Sequence, residues 1–184
     1  MISKANQRVG MIKRSFSKLS CKSLLILYKS LVRPILEYCS SIWYPLYKTD
    51  MLEIEKVQRR ATKLVPSLKE ASYEDRLKTL KLTTLAFRRK RTDILQVYRI
   101  INKLDNIDFD TFFTYSTAST RGHSLKLEKP RANTNIRANS FSNRVINDWN
   151  SLSEETVHAP SLNAFKSALE KEWANDPLKY DIGA

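Results

Sequence analysis

Apolar residues recur at helical spacing through most of this chain, and that spacing restricts its fold more than any other feature. Two such series lie near the N-terminus: Ala5, Val9, Ile12, Phe16 and Leu19, and then Leu24, Leu27, Tyr28, Leu31, Ile35, Cys39 and Ile42. Residues three and four apart share one face of an α-helix, so each series predicts an amphipathic helix. Pro34 falls within the second series and is expected to kink or split that helix, because proline removes a backbone donor.

Helical spacing continues toward the C-terminus. A third helix is expected to begin at Asp50, which forms a capping-box pair with Glu53, or at Thr49 as a rival cap. Ser72 is expected to cap a short helix over residues 72–81, and a long helix is predicted over residues 84–104. Two more helices are predicted from Phe141, Val145, Trp149 and Leu152, and from Phe165, Leu169 and Trp173 after a Ser161 cap. The fold class is therefore predicted to be mainly α.

Residues 105–139 interrupt the helical pattern. The acidic stretch "DNIDFD" is followed by polar residues, and Gly122 and Pro130 punctuate the remainder, which favours loops. Apolar and polar residues alternate over residues 124–127, which predicts a short β-hairpin there. The expected organisation is a helical bundle at 1–104, a polar and basic linker at 105–139 and a C-terminal helical segment at 140–184.

The chain is strongly basic. It has 32 Lys and Arg against 19 Asp and Glu, a formal net charge of +13. Such an imbalance predicts attraction to a polyanion such as nucleic acid, and it says nothing about the fold. The competing interpretation is a basic protein that has no polyanionic partner.

Several kinds of site are not supported by the residues present. Three Gly residues cannot form a glycine-rich phosphate loop, and the two His residues lie far apart and near no Cys pair, so neither a nucleotide cradle nor a zinc or other metal site is predicted. No Ser or Cys has an adjacent His and acid that would activate a nucleophile. Cys21 and Cys39 each lie among apolar residues and are expected to be buried thiols.

The longest apolar run, "SLLILY", is too short to span a membrane, and no signal-peptide core is present, so an intracellular (cytoplasmic or nuclear) location is expected, with no membrane partner.

Three sets of basic residues are the candidates for binding nucleic acid. The first is a stripe opposite the apolar face of the third helix, and the second is the polar side of the long helix; the third lies in and beyond the basic linker. They are, in that order, Lys56, Arg59, Arg60 and Lys63; Arg88, Arg89, Arg99 and Lys103; and Arg121, His123, Lys126, Arg131, Arg137 and Arg144. Each set also has a plain interpretation, a solvated helix face or a basic loop that folds back on "DNIDFD". Trp43, Trp149 and Trp173 are interpreted as core residues rather than as platforms for bases.

Four stretches carry a resemblance to a known family. "YKSLVRPILEYC", "IEKVQRRATK", "YEDRLKTLKL" and "NRVINDWNSL" occur in this order. Together they resemble the C-terminal part of the reverse transcriptase of jockey-like non-LTR retrotransposons (LINEs), and the likeness extends over nearly the whole chain. The resemblance implies a helical thumb followed by a post-thumb region of an RNA-directed DNA polymerase.

The resemblance also implies what the chain does not do by itself. The polymerase palm of this family holds two Mg²⁺ ions on aspartates that include an adjacent pair, and this chain has no two consecutive Asp residues. We therefore expect no catalysis and no cofactor, and a thumb that grips an RNA–DNA hybrid or RNA through backbone charge and shape. The alternatives are a protein-interaction module, for example one that docks on a separate palm, and a relic of a decayed element without function.

Overall fold

The computed structural model describes residues 1–117 and 121–183, and 60% of it is helical. The mainly α prediction is therefore confirmed. No regular strand occurs in these described residues, so the hairpin predicted at 124–127 is corrected to one antiparallel bridge between Tyr115 and Leu127. The Glu128 amide donates to the Thr114 carbonyl at 2.8 Å. The next ladder bond on that side would need an amide at position 130, and Pro130 has none.

The N-terminal part begins with helix α1 (Ile2–Ser15). Helix α2 (Cys21–Leu27) follows and passes through a π-helical turn (Tyr28–Val32) into α3 (Arg33–Glu37). Ser20 caps α2 by accepting a hydrogen bond from the Ser23 amide at 3.1 Å. Pro34 was predicted to kink or split this helix; the run stays helical, but it changes to π-helical geometry directly before the α3 turn that contains this proline.

The next helices are α4 (Lys48–Thr62), α5 (Tyr73–Thr79) and α6 (Leu85–Ile101). The Asp50 capping prediction is wrong: α4 starts at Lys48, and Asp50 lies in its first turn, where a carboxylate is favoured by the helix dipole. The Ser72 cap of α5 is confirmed, because its side chain accepts from the Asp75 amide at 3.1 Å. Helix α6 ends before the predicted residue 104, because Lys103 has a φ of 54° and the Leu104 amide bonds back to the Arg99 carbonyl.

The C-terminal helices are short, and a Ser or Thr lies at the N-cap of each. They are α7 (Asn135–Ala138), α8 (Phe141–Asn150), α9 (Glu154–Val157) and α10 (Leu162–Glu172). Ser161 caps α10 by accepting a hydrogen bond from the Ala164 amide at 3.2 Å, as predicted.

The chain forms two compact units, and their boundaries differ from those of the three segments expected from the sequence. Unit 1 comprises residues 1–39, 47–89 and 177–184, and unit 2 comprises residues 40–46 and 90–176. Residues 105–139, the predicted linker, belong to unit 2. The physical reason is that Phe113, His123 and Leu127 within it are buried.

Unit 1 has an apolar core around a buried polar network. The core is contributed by α1 to α5, with Ala5, Val9, Ile12, Leu24, Val32, Leu36, Ile54, Val57 and Leu77 among its members. Inside it, the Tyr28 hydroxyl donates to Gln58 Oε1 at 2.6 Å, and Gln58 Nε2 donates to Glu55 Oε1 at 3.0 Å. Glu55 also accepts from the Tyr73 hydroxyl and, at 2.9 Å, from the Leu85 amide. Burial nevertheless raises the pKa of the Glu55 carboxyl above its usual value.

Unit 2 is organised around aromatic side chains. Tyr98 stacks on Phe165 with ring centroids 4.2 Å apart, and Trp149, fully buried, donates its indole N–H to the Leu125 carbonyl at 2.8 Å. The core interpretation of Trp149 and Trp173 is therefore confirmed, whereas Trp43 is 45% exposed and the interpretation is wrong for it.

The cysteine prediction also needs correction. Cys39 is exposed and Cys21 is only partly buried. Cys39 has a φ of 52° in the turn that ends the α2–α3 run, so its side chain leaves the apolar face that the helical spacing assigned to it.

Candidate nucleic-acid interface

The net charge of the chain is concentrated in one unit. Unit 1 has 20 Lys and Arg against 8 Asp and Glu, a net charge of +12; unit 2 has 12 against 11, a net charge of +1. A phosphate backbone is attracted by uncompensated charge, so unit 1 by itself is the better candidate for a polyanion surface.

The basic stripe of α4 is only partly available. Lys63 and Arg60 are exposed, and the Arg60 guanidinium donates to Asn6 Oδ1 on α1 at 2.7 Å. Lys56 is exposed but forms an ion pair with Glu53. Arg59 is partly buried and lies over the Tyr73 ring, with its guanidinium carbon 4.6 Å from the ring centroid. Arg60 and Lys63 are therefore the members of the stripe best placed to meet a phosphate.

The basic residues of α6 mostly serve the fold. The Arg88 guanidinium forms a two-bond ion pair with Glu37, one bond of 3.1 Å, and Arg89 is buried and donates to the Leu36 carbonyl at 2.7 Å. These two arginines tie the start of α6 to α3 within unit 1. Both arginines therefore have a structural role, which accounts for their presence without nucleic-acid binding.

Arg99, farther along α6 and in unit 2, is bonded to Asp105, whereas Lys103, just beyond the end of α6, is exposed. Arg99 Nε donates to Asp105 Oδ2 at 2.7 Å, and Gln96 adds a bond of 2.9 Å. Hydrogen bonds from Arg99, and then from Gln96, lower the pKa of Asp105 to about 2. Of the pair Arg99 and Lys103, the structure leaves Lys103 accessible.

In the basic loop region, too, some of the predicted site residues are exposed and others are not. Arg121, Arg131 and Arg137 are exposed, whereas His123 is buried, with its Nε2 3.0 Å from the Trp149 carbonyl oxygen. Burial lowers the pKa of His123, so a neutral ring is expected at neutral pH. Lys126 donates to the Arg121 carbonyl. The structure thus places His123 in the interior of unit 2 instead of at a nucleic-acid surface.

Arg144 is the most heavily engaged of the predicted site residues. It donates two bonds to Asp93, of 2.9 and 3.1 Å, and further bonds to the carbonyls of Ser41 (2.7 Å) and Asn139 (3.0 Å). Its guanidinium carbon also lies 4.5 Å from the centroid of the Tyr44 ring. Its charge is therefore compensated within unit 2.

The longest acid-free basic stretch was missed by the sequence interpretation. From Met1 to Leu36 the chain has eight Lys and Arg and no acid, and the first acid is Glu37. Seven of the eight, all but Arg33, are exposed: Lys4, Arg8, Lys13, Arg14, Lys18, Lys22 and Lys29. Counting acids rather than bases along the sequence would have found this stretch, because the loop at 121–144 includes Glu128 and this one includes no carboxylate.

A serine, a histidine and an acid also come together unexpectedly in unit 2. Ser124 Oγ lies 2.9 Å from His158 Nε2, and Glu154 Oε1 lies 3.0 Å from both of those atoms. A catalytic relay needs the acid on the other ring nitrogen, where it would orient the base. Here serine and carboxylate meet the same nitrogen on an exposed surface, so the cluster holds the 124 loop to α9 without activating a nucleophile.

Other sites receive no support in the part of the chain that is described. No three His, Cys, Asp or Glu side chains there lie together in a way that could hold a metal ion. No helix within residues 1–117 and 121–183 is both long and apolar enough to cross a bilayer.

A shallow groove of about 660 Å³ lies at the end of α6 in unit 2. It is lined by acids and apolar side chains, among them Leu104, Ile107, Asp108, Asp110 and Tyr115. Lys103 also lines it, but the carboxylates of the groove outnumber this one cation and would repel phosphates. Apart from Lys103, the groove therefore does not extend the candidate nucleic-acid interface.

Comparison of the chain with protein-family models, with curated proteins and with solved structures finds no match. The functional conclusion therefore depends on the residues and their geometry.

Proposed function

We propose that the chain is a nucleic-acid-binding module that grips a template–primer through its phosphate backbone and performs no chemistry by itself. In this proposal it corresponds to the thumb and post-thumb region of a LINE-type RNA-directed DNA polymerase, as the sequence resemblance implies. The observation that carries the proposal is the net charge of +12 on unit 1 alone.

The arrangement of unit 1 suits a backbone grip. The apolar faces of α1 and α4 are buried, so these helices present mainly charge and amide groups outward. Arg60 is held against Asn6, which limits the side-chain entropy that it would lose on meeting a phosphate. Backbone contacts of this kind fix position without reading sequence, as an RNA–DNA hybrid of mixed sequence requires.

A docking module is the second candidate, and one observation favours it. The groove in unit 2 exposes large apolar side chains: Leu104, Ile107 and Tyr115 are 51%, 37% and 40% exposed. Exposed apolar surface of this sort is typical of protein contacts. A separate polymerase palm is the partner that the resemblance implies.

Binding measured across a salt series tests the proposal. The purified chain would be titrated against an RNA–DNA hybrid, duplex DNA and single-stranded RNA. If about 6–10 phosphates are contacted, affinity should fall roughly 10³- to 10⁵-fold between about 50 and 200 mM salt. A primer-extension assay on the same protein should yield no DNA product. Salt-independent binding, or any DNA synthesis, would contradict the proposal.

Matched charge reversals locate the surface. Arg60→Glu with Lys63→Glu should weaken binding and make the slope of log affinity against log salt shallower by about 2, because each of these cations is expected to neutralise about one phosphate. Lys166→Glu with Lys171→Glu on α10 changes the net charge by the same amount and serves as control. If both pairs weaken binding equally, only the total charge matters and the surface assignment is wrong.

A further inference from the structure

An exposed aromatic ring lies within the acid-free N-terminal stretch. Phe16 is the C-cap residue directly after α1; its backbone is extended, with φ −131° and ψ 113°, and its side chain is 44% exposed. Four exposed cations precede and follow it along the chain: Lys13, Arg14, Lys18 and Lys22. Within the described residues, no ring stacking or cation–π contact involves Phe16.

The backbone that presents this ring is anchored on both sides. Ile12 and Leu19, four residues before and three after Phe16, are buried in the core of unit 1. The Ser20 cap then fixes the start of α2. A ring held between two anchors loses less conformational freedom on stacking than a ring on a free tail would.

A second exposed phenylalanine in the chain provides a contrast. Phe112 is 41% exposed, but its ring contacts Phe113 and Phe141, with centroids 6.3 and 6.2 Å apart. Asp108 and Asp110 lie close to it in the sequence. The two side chains are about equally exposed, but a nucleic acid would meet a ring packed on two others and repulsive carboxylates at Phe112, and a ring without an aromatic partner in the described residues and four cations at Phe16.

We propose that residues 13–22 form a contact for single-stranded nucleic acid, in which the Phe16 ring stacks on an unpaired base and the flanking cations meet the adjoining phosphates. This combination of stacking platform and positive charge is how proteins bind single strands without reading their sequence. The inference deepens the proposed function, on which it rests, by giving unit 1 a preference for an unpaired strand at this point.

A lipid surface has weaker support from the same residues. Helices that lie on membranes insert a continuous apolar face, and the apolar face of α1, formed by Ala5, Val9 and Ile12, is buried in the protein core. A single ring offers too little apolar area to replace it. Anionic vesicles are therefore included in the test as the competing partner.

The test compares strand affinities of Phe16 variants. Fluorescence anisotropy would be recorded with a labelled single-stranded RNA of about 12 nucleotides, the size range of single-strand sites, and with the matching duplex. Phe16→Ala should weaken single-strand binding roughly 5- to 150-fold, the range for loss of one stacked base, and should change duplex binding by less than about 2-fold. Phe16→Trp should retain the affinity, and Phe112→Ala is the matched control, expected to bind like the unchanged protein.

The outcomes separate this inference from the proposed function. If Arg60→Glu with Lys63→Glu weakens binding but Phe16→Ala leaves single-strand affinity unchanged, the proposed function stands and the Phe16 contact is refuted. If no nucleic acid binds at low salt, both are refuted. If Phe16→Ala instead reduces sedimentation with phosphatidylserine vesicles and leaves strand binding intact, the surface belongs to a lipid and the inference is overturned. Circular dichroism should show unchanged helix content, because the side chain is exposed.

Discussion

Replacing Arg144 should destabilise unit 2, and the effect should not depend on nucleic-acid binding. The side chains of Arg144 and Asp93 are only 10% and 5% exposed, so Arg144→Met leaves a carboxylate buried without its cation. Removal of one partner from a buried pair costs about 3–5 kcal/mol. Each kcal/mol lowers Tm by about 4–8 °C in a domain of about 60–100 residues, the size range of unit 2, so we expect a loss of roughly 12–40 °C.

The assay can follow unit 2 alone, because Trp43, Trp149 and Trp173, the three tryptophans of the chain, all belong to it. Urea unfolding monitored by tryptophan fluorescence would therefore report the free energy of unfolding of that unit. Arg137→Met, at an exposed arginine on α7, is the control and should change stability by no more than about 0.5 kcal/mol.

A double replacement separates the broken pair from a general defect. Arg144→Met combined with Asp93→Leu removes both charges and should regain most of the stability, since apolar replacement of a whole buried pair is often neutral or stabilising by about 1–4 kcal/mol. If Arg144→Met costs less than about 1 kcal/mol yet lowers affinity for nucleic acid about tenfold, Arg144 contacts the ligand and the structural interpretation fails.

Two further predictions concern ionisation. Burial raises the folded-state pKa of Glu55 above the ordinary 4.5, so its protonated form favours folding and that stability is lost as pH rises from 4.5 through the raised pKa. Glu55→Gln should therefore remove this decline in stability. The measurement is urea unfolding at a series of pH values, followed by far-UV circular dichroism. An identical pH dependence in both proteins would show that Glu55 is not its source. Arg99→Ala should return the Asp105 pKa from about 2 toward the ordinary 3.8, which NMR titration of the side-chain carboxyl would detect. An Asp105 pKa that stays near 2 would mean that Arg99 is not the main cause of the lowered pKa.

Local patterns predicted the helices because their determinants are local. Apolar residues at spacings of three and four create a helix face whatever they pack against, and the Ser20, Ser72 and Ser161 hydroxyls cap an amide only three residues away. Errors occurred where a single residue could override the pattern. The α-helical spacing could not reveal that Lys103 takes a positive φ and ends α6 early.

The candidate site was predicted less well, because a basic residue looks the same in a sequence whether its charge is free or paired. Arg144 is compensated by Asp93, 51 positions away, and Arg88 by Glu37 at the same separation. Neither partnership has a local signal. Unit 2 is nearly neutral even though it includes the basic loop at 121–144, because acids elsewhere in the unit balance that loop.

The sequence by itself determined the helical class, most caps and the total charge, since these follow from composition and from neighbours within a few positions. Only the tertiary structure decided which cations remain accessible, because burial and ion pairing bring together residues distant in the chain. The acid-free stretch before Glu37 lies between these cases: its charge can be read from the sequence, but the exposure of Phe16 within it depends on how Ile12 and Leu19 are packed.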